Sequence, residues 1–489
     1  MAERYWLETL GCPKNLVDSE KLSGTLTDGG YRPAASPEDA DLVVVNTCAF
    51  IEAARQESID TILSLDDSRR PGSRLVVTGC MAERYGDELA ASLPEVDMVA
   101  PFGVQLAPPA TGGAVAVGHR PVGTPVALTK KAAPPSFDLL NLPRPPATAP
   151  WAYIKVAEGC DRNCGFCAIP SFRGKQRSRP EAAILAEADQ LGVRDGALRE
   201  IVLVAQDLAS YGLDRSSGSA VPRPDGPAVG SNRPIVGLVQ ALSERVERTR
   251  LLYLYPSSLD DSLIEAILAT GVPYFDLSLQ HVSRPLLKRM RRWGEGQRFL
   301  DRIADIRRAE PTSAFRSSFI VGYPGETEAD HDELLAWLDE AQLDWVGFFP
   351  FSREDGTFAA DLADQVPDEL MAERLRECAE LQDSIIAGRR DALIGDVVDV
   401  LVDTVGEGRT YREAPEIDGI VAVPDHLAPG AVVQMVVTGA DGPDLMAEPT
   451  GLHLASQSSA VRAHGRTVAA HGHPVPAHDG AVAGRRSRR

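Results

Sequence analysis

The alternation of short apolar runs with helix-compatible segments most constrains how this chain can fold. Val- or Leu-rich runs at 5–10, 41–45 and 74–77 are each followed by a predicted helix, at 19–27, 51–65 and 82–93. This alternation predicts βαβ units and a parallel sheet over residues 1–103. In such sheets ligands bind beyond the carboxyl ends of the strands.

A second βα series follows a Pro-, Gly- and Ala-rich segment, 104–150, which is predicted to be a linker. Strands are predicted at 153–157, 200–205, 251–255, 274–279, 316–321 and 345–350, with a Ser-, Gly- and Pro-rich insertion at 216–234. The pattern predicts a partial (β/α) barrel over 151–380, with its chemistry at the C-terminal strand ends.

The last part of the chain has a different pattern. A predicted helix, 367–393, leads to Val-rich runs at 397–402, 419–423 and 432–437, which indicate a small antiparallel β-barrel over 381–451. Residues 452–489 are rich in Ala, Gly, His and Arg, and we expect a disordered tail there. The predicted fold class is therefore α/β with a small C-terminal barrel.

Three closely spaced cysteines, Cys160, Cys164 and Cys167, follow the first strand of the second series. Iron–sulfur clusters are normally held by four thiolates, so a three-thiolate site leaves one iron open to another ligand. The alternative is a structural zinc knot. Zinc favours four ligands in paired motifs, and no fourth ligand of that pattern lies nearby in the sequence.

Each N-terminal predicted strand also ends at a cysteine, namely Cys12, Cys48 and Cys80. Because the carboxyl ends of parallel strands share one sheet edge, we predict that these side chains converge on a second three-thiolate cluster site. The alternative is three unrelated buried cysteines, since free cysteine is commonly buried. The seventh cysteine, Cys378, is predicted to be structural.

These motifs resemble those of a known enzyme family. The spacing of Cys160, Cys164 and Cys167, with Phe166 before the last cysteine, is similar to the signature of radical S-adenosylmethionine (SAM) enzymes. Segments 9–15, 45–48 and 77–80 resemble the N-terminal motifs of the radical SAM methylthiotransferases, and the likeness covers nearly all of the chain except the tail. It implies a radical SAM domain, a C-terminal TRAM domain, two 4Fe-4S clusters, SAM and an external electron donor.

The resemblance also implies roles for the six cysteines as catalytic and metal-binding residues. Cys160, Cys164 and Cys167 would hold the cluster that cleaves SAM to a 5′-deoxyadenosyl radical. That radical would remove a hydrogen that acid–base chemistry cannot easily reach. The N-terminal triplet would hold an auxiliary cluster that delivers the methylthio sulfur.

Residues expected to contact SAM lie near the predicted C-terminal strand ends. Phe166 would pack on the adenine by resemblance, and the other candidates are Gln206, Asp207, Gln280, Gly322 and Arg173. Arg173 and Arg177 suit a carboxylate of SAM or of the substrate, because arginine binds carboxylates through two parallel hydrogen bonds. The simpler alternatives are strand caps for the polar residues, surface charge for the arginines, and a core position for His281.

The family has two main branches, and they differ in substrate. One modifies an adenosine in tRNA, and the other the β-carbon of an aspartate in ribosomal protein S twelve. Segments 12–20, 169–174, 280–281 and, above all, 414–419 resemble the second. Residues 391–451 carry twelve Asp or Glu, two Arg and no Lys, a net charge of −10. A tRNA-gripping domain should be basic, whereas an acidic one suits a basic ribosomal protein.

Two other functions remain open at this point. A tRNA adenosine methylthiotransferase would share every cysteine, and a non-enzymatic iron–sulfur ribosome-assembly factor would not cleave SAM. The net charge of −20 argues against broad nucleic-acid binding. The chain has no apolar run of about 18 residues and no signal-peptide stretch. Together with the clustered cysteines, this predicts a cytoplasmic protein without a membrane segment.

Overall fold

The computed structural model describes residues 2–104, 106, 139–215 and 233–450. Most of the predicted linker and of the 216–234 insertion, and the predicted disordered tail, lie outside these residues. The chain divides into two compact units, which comprise Met1–Pro145 with Ser171–Gly174, and Pro146–Pro170 with Lys175–Arg489. Among the described residues, no helix combines the length and apolarity needed to cross a membrane.

The first unit is built around a parallel sheet with strand order β2-β1-β3-β4-β5. Its strands are β1 (Arg4–Thr9), β2 (Arg32–Pro33), β3 (Leu42–Thr47), β4 (Arg74–Gly79) and β5 (Met98–Ala100). Its helices are α1 (Pro13–Asp28), α2 (Glu52–Ser68) and α3 (Cys80–Ser92). The central strand β3 is buried throughout, as its apolar run Leu-Val-Val-Val requires in a sheet covered on both faces.

The second unit contains the predicted partial barrel. Its strands are β6 (Trp151–Lys155), β7 (Ala157–Glu158), β8 (Arg177–Ser178), β9 (Glu200–Val204), β10 (Arg248–Leu251), β11 (Tyr274–Gln280), β12 (Ala314–Val321) and β13 (Trp345–Pro350). Parallel sheets β10-β9-β6 and β11-β12-β13 are joined by a parallel bridge between Leu254 and Leu277, while β7 and β8 form a separate antiparallel pair. The open, parallel arrangement confirms the predicted fold class.

Helices separate most of these strands. They are α4 (Ile169–Arg173), α5 (Glu181–Gln190), α6 (Pro234–Ser243), α7 (Asp261–Leu268), α8 (Arg284–Arg289), α9 (Gly296–Ala309), α10 (Glu328–Ala341) and α11 (Asp368–Asp391). The last three residues of α4 belong to the first unit. The third barrel strand was predicted at 251–255, but β10 begins at Arg248. Its polar start, Arg248-Thr249-Arg250, is buried all the same, because partners elsewhere in the chain satisfy the charges.

The last domain of the second unit is a closed β-barrel. Its strands are β14 (Val397–Thr404), β15 (Glu407–Arg409), β16 (Val421–Ala422), β17 (Val432–Asp441) and β18 (Asp444–Pro449), in the order β14-β15-β16-β18-β17. One detail differs from the prediction of a purely antiparallel barrel, since β16 pairs with β18 in parallel. Val400, Val402, Met435 and Leu445 fill its interior.

This small barrel packs against the N-terminal ends of the strands of the partial barrel. Glu200, the first residue of β9, binds Arg409 at 2.9 Å. Arg248, the first residue of β10, donates to the Arg409 carbonyl, and Trp345, the first of β13, donates to the Arg412 carbonyl at 2.6 Å. The opposite, C-terminal ends of the strands are therefore left for the candidate site.

Candidate functional site

The first cysteine triplet lies at one edge of the N-terminal sheet. Cys12 occupies the N-cap position of α1, after β1. Cys48 follows β3, and Cys80 begins α3 directly after β4. These three strands are neighbours, and Thr47 is paired with Gly79, so the strands end at the same level. The topology thus brings the three predicted ligands to one place.

Two glycines allow the cysteine loops to approach closely. Gly11 and Gly79 both have φ of +92°, a backbone conformation that residues with a side chain rarely adopt. A Cβ on Gly11 would lie 2.8 Å from Cys48 Cβ, and one on Gly79 would lie 2.3 Å from Asn46 Oδ1. Only glycine fits both the conformation and the space at these two positions.

Gly79→Ala is therefore expected to destabilise the first unit by about 2–4 kcal/mol, because about 1–2 kcal/mol of backbone strain adds to a steric clash. Gly72→Ala is the matched control, since Gly72 also has a positive φ (+84°) but nothing lies within 4 Å of its added Cβ. Thermal unfolding measures both variants. Equal loss in the two would show that the close approach at Gly79 does not matter.

Asn15 and Arg173 connect the loops of the first triplet. The Asn15 amide donates to the Leu10 carbonyl at 2.9 Å and to the Thr47 carbonyl at 3.1 Å. Arg173 Nη2 donates to Asn15 Oδ1 at 2.9 Å and to Cys80 Sγ at 2.9 Å. Arg173 was predicted to contact SAM or the substrate. In the structure it belongs to the first unit and contacts Cys80 there. Asn15 lies within the 9–15 motif, but the sequence alone gave it no role.

Burial and neighbouring charges act on the pKa of all three thiols of the first triplet. Burial, followed by the charges of Cys80 and Cys12, raises the pKa of Cys48. Burial also raises the pKa of Cys80, although Arg173 opposes it. At Cys12 burial acts in the same direction, but Lys14 and Arg173 outweigh it and lower the pKa of that thiol. Nearby cations favour the thiolate form that a metal requires.

The second triplet lies in the loop after β7, braced by backbone hydrogen bonds. Gly165, between Cys164 and Cys167, donates to the Met290 carbonyl and accepts from the Ala359 amide, each at 2.8 Å. Cys167 itself donates to the Cys164 carbonyl at 3.2 Å. Burial raises the pKa of Cys160 and of Cys167 to about 12. The loop is thus held in shape by contacts to the barrel.

Two arginines that the sequence analysis missed lie beside this loop. Arg292 Nη1 donates to Cys164 Sγ at 3.2 Å, and Arg162 Nε binds Asp207 Oδ2 at 2.7 Å. Both guanidinium groups contact the Tyr255 ring, 4.3 Å and 3.9 Å from its centroid. Arg162 lies inside the cysteine motif and so could have been considered. Arg292 ends an ordinary basic run, and its role depends on the fold.

Gln206 and Asp207, both predicted SAM contacts, follow the C-terminal end of β9. Gln206 Nε2 donates to Glu158 Oε1 at 2.7 Å, and Asp207 is bound by Arg162. Gln206 Oε1 and Asp207 Oδ1 are buried and have no hydrogen-bond partner among the described residues. Buried polar atoms are normally satisfied, so these two acceptors fit a polar ligand such as SAM.

The other predicted SAM contacts also lie at or beyond strand ends. Gln280 ends β11 with φ of +74°, and Gly322 follows β12 with φ of +80°. The Gly322 amide donates to Glu326 Oε2 at 2.7 Å. Phe166 is partly buried against the barrel core. As SAM contacts, these residues remain predictions.

For three further residues, His281, Cys378 and Arg177, the sequence suggested either a role in the site or a purely structural role. His281 is fully buried, its Nδ1 accepts from the Ser283 amide, and burial lowers its pKa to about 3, so it is a neutral core histidine. Cys378 is fully buried on α11. Arg177 lies on β8, where its backbone pairs with that of Glu158.

The segment 414–419, which most favoured the ribosomal-protein branch, lies at the opposite end of the barrel strands from the second cysteine loop. Tyr153 donates to the Pro415 carbonyl at 2.6 Å, and Tyr274, the first residue of β11, donates to Asp418 at 2.6 Å. Arg316 also binds Asp418, at 3.3 Å. This segment therefore attaches the small barrel to the partial barrel.

In the described part of the chain, no three Cys, His, Asp or Glu side chains are spaced around a single metal ion. A zinc ion needs its ligands about 2.0–2.3 Å from one centre. An iron–sulfur cluster distributes its thiolates over separate irons, and thiolates are the ligands that such clusters use. Each triplet supplies three thiols of the kind that such clusters bind.

Comparisons with family models agree with this organisation. Residues 4–101 match a model described as "Uncharacterized protein family UPF0004", residues 154–338 match the radical SAM superfamily, and residues 394–449 match the TRAM domain. Members of the radical SAM superfamily use an iron–sulfur cluster and SAM. The exact boundaries of the domains remain a prediction.

Similar solved structures include a radical SAM methyltransferase, TsrM from Kitasatospora setae, with cobalamin and an iron–sulfur cluster bound. It is 14% identical, with a TM-score of 0.41, over 72% of this chain and 75% of that one. OxsB, a cobalamin-dependent SAM radical enzyme, is 13% identical, with a TM-score of 0.43, over 78% of this chain and 56% of that one.

Sequence relatives are much closer. A protein of Salinispora tropica is 40% identical over 94% of this chain and 97% of its own length, and one of Moorella thermoacetica is 41% identical over 88% and 95%. One of Streptomyces coelicolor is 39% identical over 91% and 96%. All three are named ribosomal protein uS12 methylthiotransferase RimO. This chain therefore belongs to the RimO family and is a radical SAM methylthiotransferase.

Proposed function

We propose that this enzyme methylthiolates the β-carbon of an aspartate in ribosomal protein uS12, the S twelve protein of the small subunit, in the cytoplasm. Cys160, Cys164 and Cys167 would hold one iron–sulfur cluster, and Cys12, Cys48 and Cys80 a second. With SAM and an external electron donor, these cofactors would supply the radical and the sulfur. The proposal rests on the two separately positioned cysteine triplets.

The protein's own residues would bind and orient these groups. Arg162 and Arg292 bring positive charge to the second triplet and stack on Tyr255, which limits their movement. Gln206 and Asp207 offer unsatisfied buried acceptors at the adjacent strand end, suited to the ammonium or hydroxyl groups of SAM. The bracing of Gly165 keeps the cysteine loop in one conformation.

The surface of the TRAM domain supports a basic protein substrate. Across residues 391–450, eight acidic side chains are exposed: Asp391, Asp396, Asp399, Glu407, Glu416, Asp425, Asp441 and Glu448. The domain's two arginines are not exposed, since Arg409 is buried and Arg412 is partly buried. All the exposed Asp, Glu, Arg and Lys side chains of residues 391–450 are therefore acidic. Such a surface disfavours a phosphate backbone and favours a basic protein as the partner.

This acidic surface is also the argument against tRNA as the substrate. A tRNA adenosine methylthiotransferase would keep both cysteine triplets, but its TRAM domain would have to neutralise phosphates. The non-enzymatic alternative, a ribosome-assembly factor, does not account for buried, unsatisfied acceptors next to the second triplet. Membership of a methylthiotransferase family also disfavours it.

Charge reversal tests the role of the TRAM surface. We expect Asp399→Lys/Glu407→Lys/Glu448→Lys to raise KM for uS12 about tenfold at low salt with little change in kcat, because these charges steer a basic partner. The difference should shrink at high salt.

The matched control changes the same number of exposed acids on α10, Asp332→Lys/Asp339→Lys/Glu340→Lys, and should leave KM within about twofold. Methylthio incorporation into uS12, measured by mass spectrometry at several substrate concentrations, gives both constants. An equal rise in KM for both triple variants would reject a specific role for the TRAM surface.

A further inference from the structure

Arg173 occupies a place that neither family membership nor the proposed function explains. Its side chain is 4% exposed and binds Asp18 at 3.0 Å. Its guanidinium also stacks on the Phe102 ring, 4.2 Å from the centroid. These contacts hold the buried cation in one orientation.

The orientation of Arg173 directs one N–H group at a cysteine sulfur. Nη2 lies 2.9 Å from Cys80 Sγ and 2.9 Å from Asn15 Oδ1, while Nη1 binds Asp18. Asn15 in turn holds the carbonyls of Leu10 and Thr47, which precede the other two cysteines of the triplet. Arg173 is thus part of a hydrogen-bond network that reaches all three cysteine loops.

We infer that Arg173 is a positioning residue for the cluster held by Cys12, Cys48 and Cys80, and that its hydrogen bond to Cys80 Sγ makes this cluster easier to reduce. The inference rests on the proposed function, which places a cluster there. Hydrogen bonds to cluster sulfurs and local charge set the reduction potential of iron–sulfur clusters. An arginine that only paired with Asp18 would stabilise the fold without affecting the potential through the sulfur.

The test isolates this cluster in the full-length chain. Cys160, Cys164 and Cys167 are all changed to alanine, so that iron bound after anaerobic reconstitution belongs to the first triplet. In this background, Asp18→Asn/Arg173→Met removes the sulfur contact. Changing both partners of the ion pair leaves neither buried charge alone and leaves the local net charge unchanged.

Potentiometric titration followed by electron paramagnetic resonance gives the ratio of reduced to oxidised cluster. We expect the double variant to lower this ratio about tenfold at a fixed potential, which corresponds to about 59 mV for a one-electron couple. The matched control is Glu20→Gln/Arg144→Met, another buried arginine paired with a residue of α1. It should leave the ratio unchanged.

The outcomes separate the inference from the proposed function. Bound iron with the same potential in both double variants would overturn the inference about Arg173 and leave the proposed function standing. No bound iron in the background protein would reject the cluster assigned to Cys12, Cys48 and Cys80, and the inference with it. A lowered potential in the Asp18/Arg173 variant alone would support both.

Discussion

Replacing Cys48 with alanine is expected to abolish methylthio transfer while SAM is still cleaved. Cys48 belongs to the first unit, whereas the triplet assigned to SAM cleavage belongs to the second. Loss of one of three thiolates should reduce transfer by at least about a hundredfold, because changes to outer partners of metal ligands already cost about 10–100-fold. Chromatography of 5′-deoxyadenosine and mass spectrometry of the substrate measure the two activities separately.

Cys164→Ala should have a different effect, with neither SAM cleavage nor transfer. Cys378→Ala is the control, since Cys378 is a fully buried cysteine on α11 that belongs to neither triplet. It should retain both activities, with only a modest loss of stability from the small cavity. SAM cleavage by Cys164→Ala would contradict the assignment of the second triplet, and methylthio transfer by Cys48→Ala would contradict that of the first.

Replacing Arg409 with methionine is expected to destabilise the second unit by about 3–5 kcal/mol. Arg409 is buried between Glu200 at 2.9 Å and Asp403 at 2.5 Å, and Glu200 also binds Arg250 at 2.6 Å. Removing one member of such a network leaves buried carboxylates without their counter-charge. Urea unfolding followed by circular dichroism would show the loss. Arg194→Met, which breaks a surface ion pair with Asp189, should cost at most about 1 kcal/mol.

The same network predicts a dependence on pH. Burial would raise the pKa of Glu200, but Arg250 and Arg409 outweigh it and lower that pKa from 4.5 to about 2. A lowered carboxyl pKa stabilises the folded state above the unfolded value, and this contribution is lost as pH falls from about 4.5 toward 2. In Arg409→Met the pKa of Glu200 should lie closer to 4.5, so this loss of stability at acid pH should be smaller and should end at a higher pH. An Arg409→Met profile parallel to that of the unmodified protein would contradict the role of this ion pair.

Local patterns were sufficient to predict most of the fold. The apolar runs before Cys12, Cys48 and Cys80 are strands β1, β3 and β4. Buried parallel strands contain continuous apolar runs, as β3 and β4 do. The start of β10 was missed because Arg248 and Arg250 are polar. Their partners, at Glu200 and in the TRAM domain, are distant in sequence.

The candidate site was predictable where residue type alone limits the chemistry, as it does for cysteine triplets. It was not predictable where a side chain could serve in several ways. Arg173 follows the second triplet in sequence, yet it contacts Cys80 of the first. Segment 414–419 indicated the substrate branch by resemblance, but its contacts to Tyr153 and Tyr274 attach the TRAM domain. Such roles depend on contacts between residues far apart in the chain.

The most direct test of the proposed function offers the enzyme both substrates. Purified protein is reconstituted anaerobically with iron and sulfide, then given SAM, reductant and either unmodified uS12 or tRNA, and both products are analysed by mass spectrometry. We predict a methylthio mass gain on one aspartate of uS12 and none on tRNA. A gain on tRNA alone would contradict the proposed substrate and the interpretation of the acidic TRAM surface.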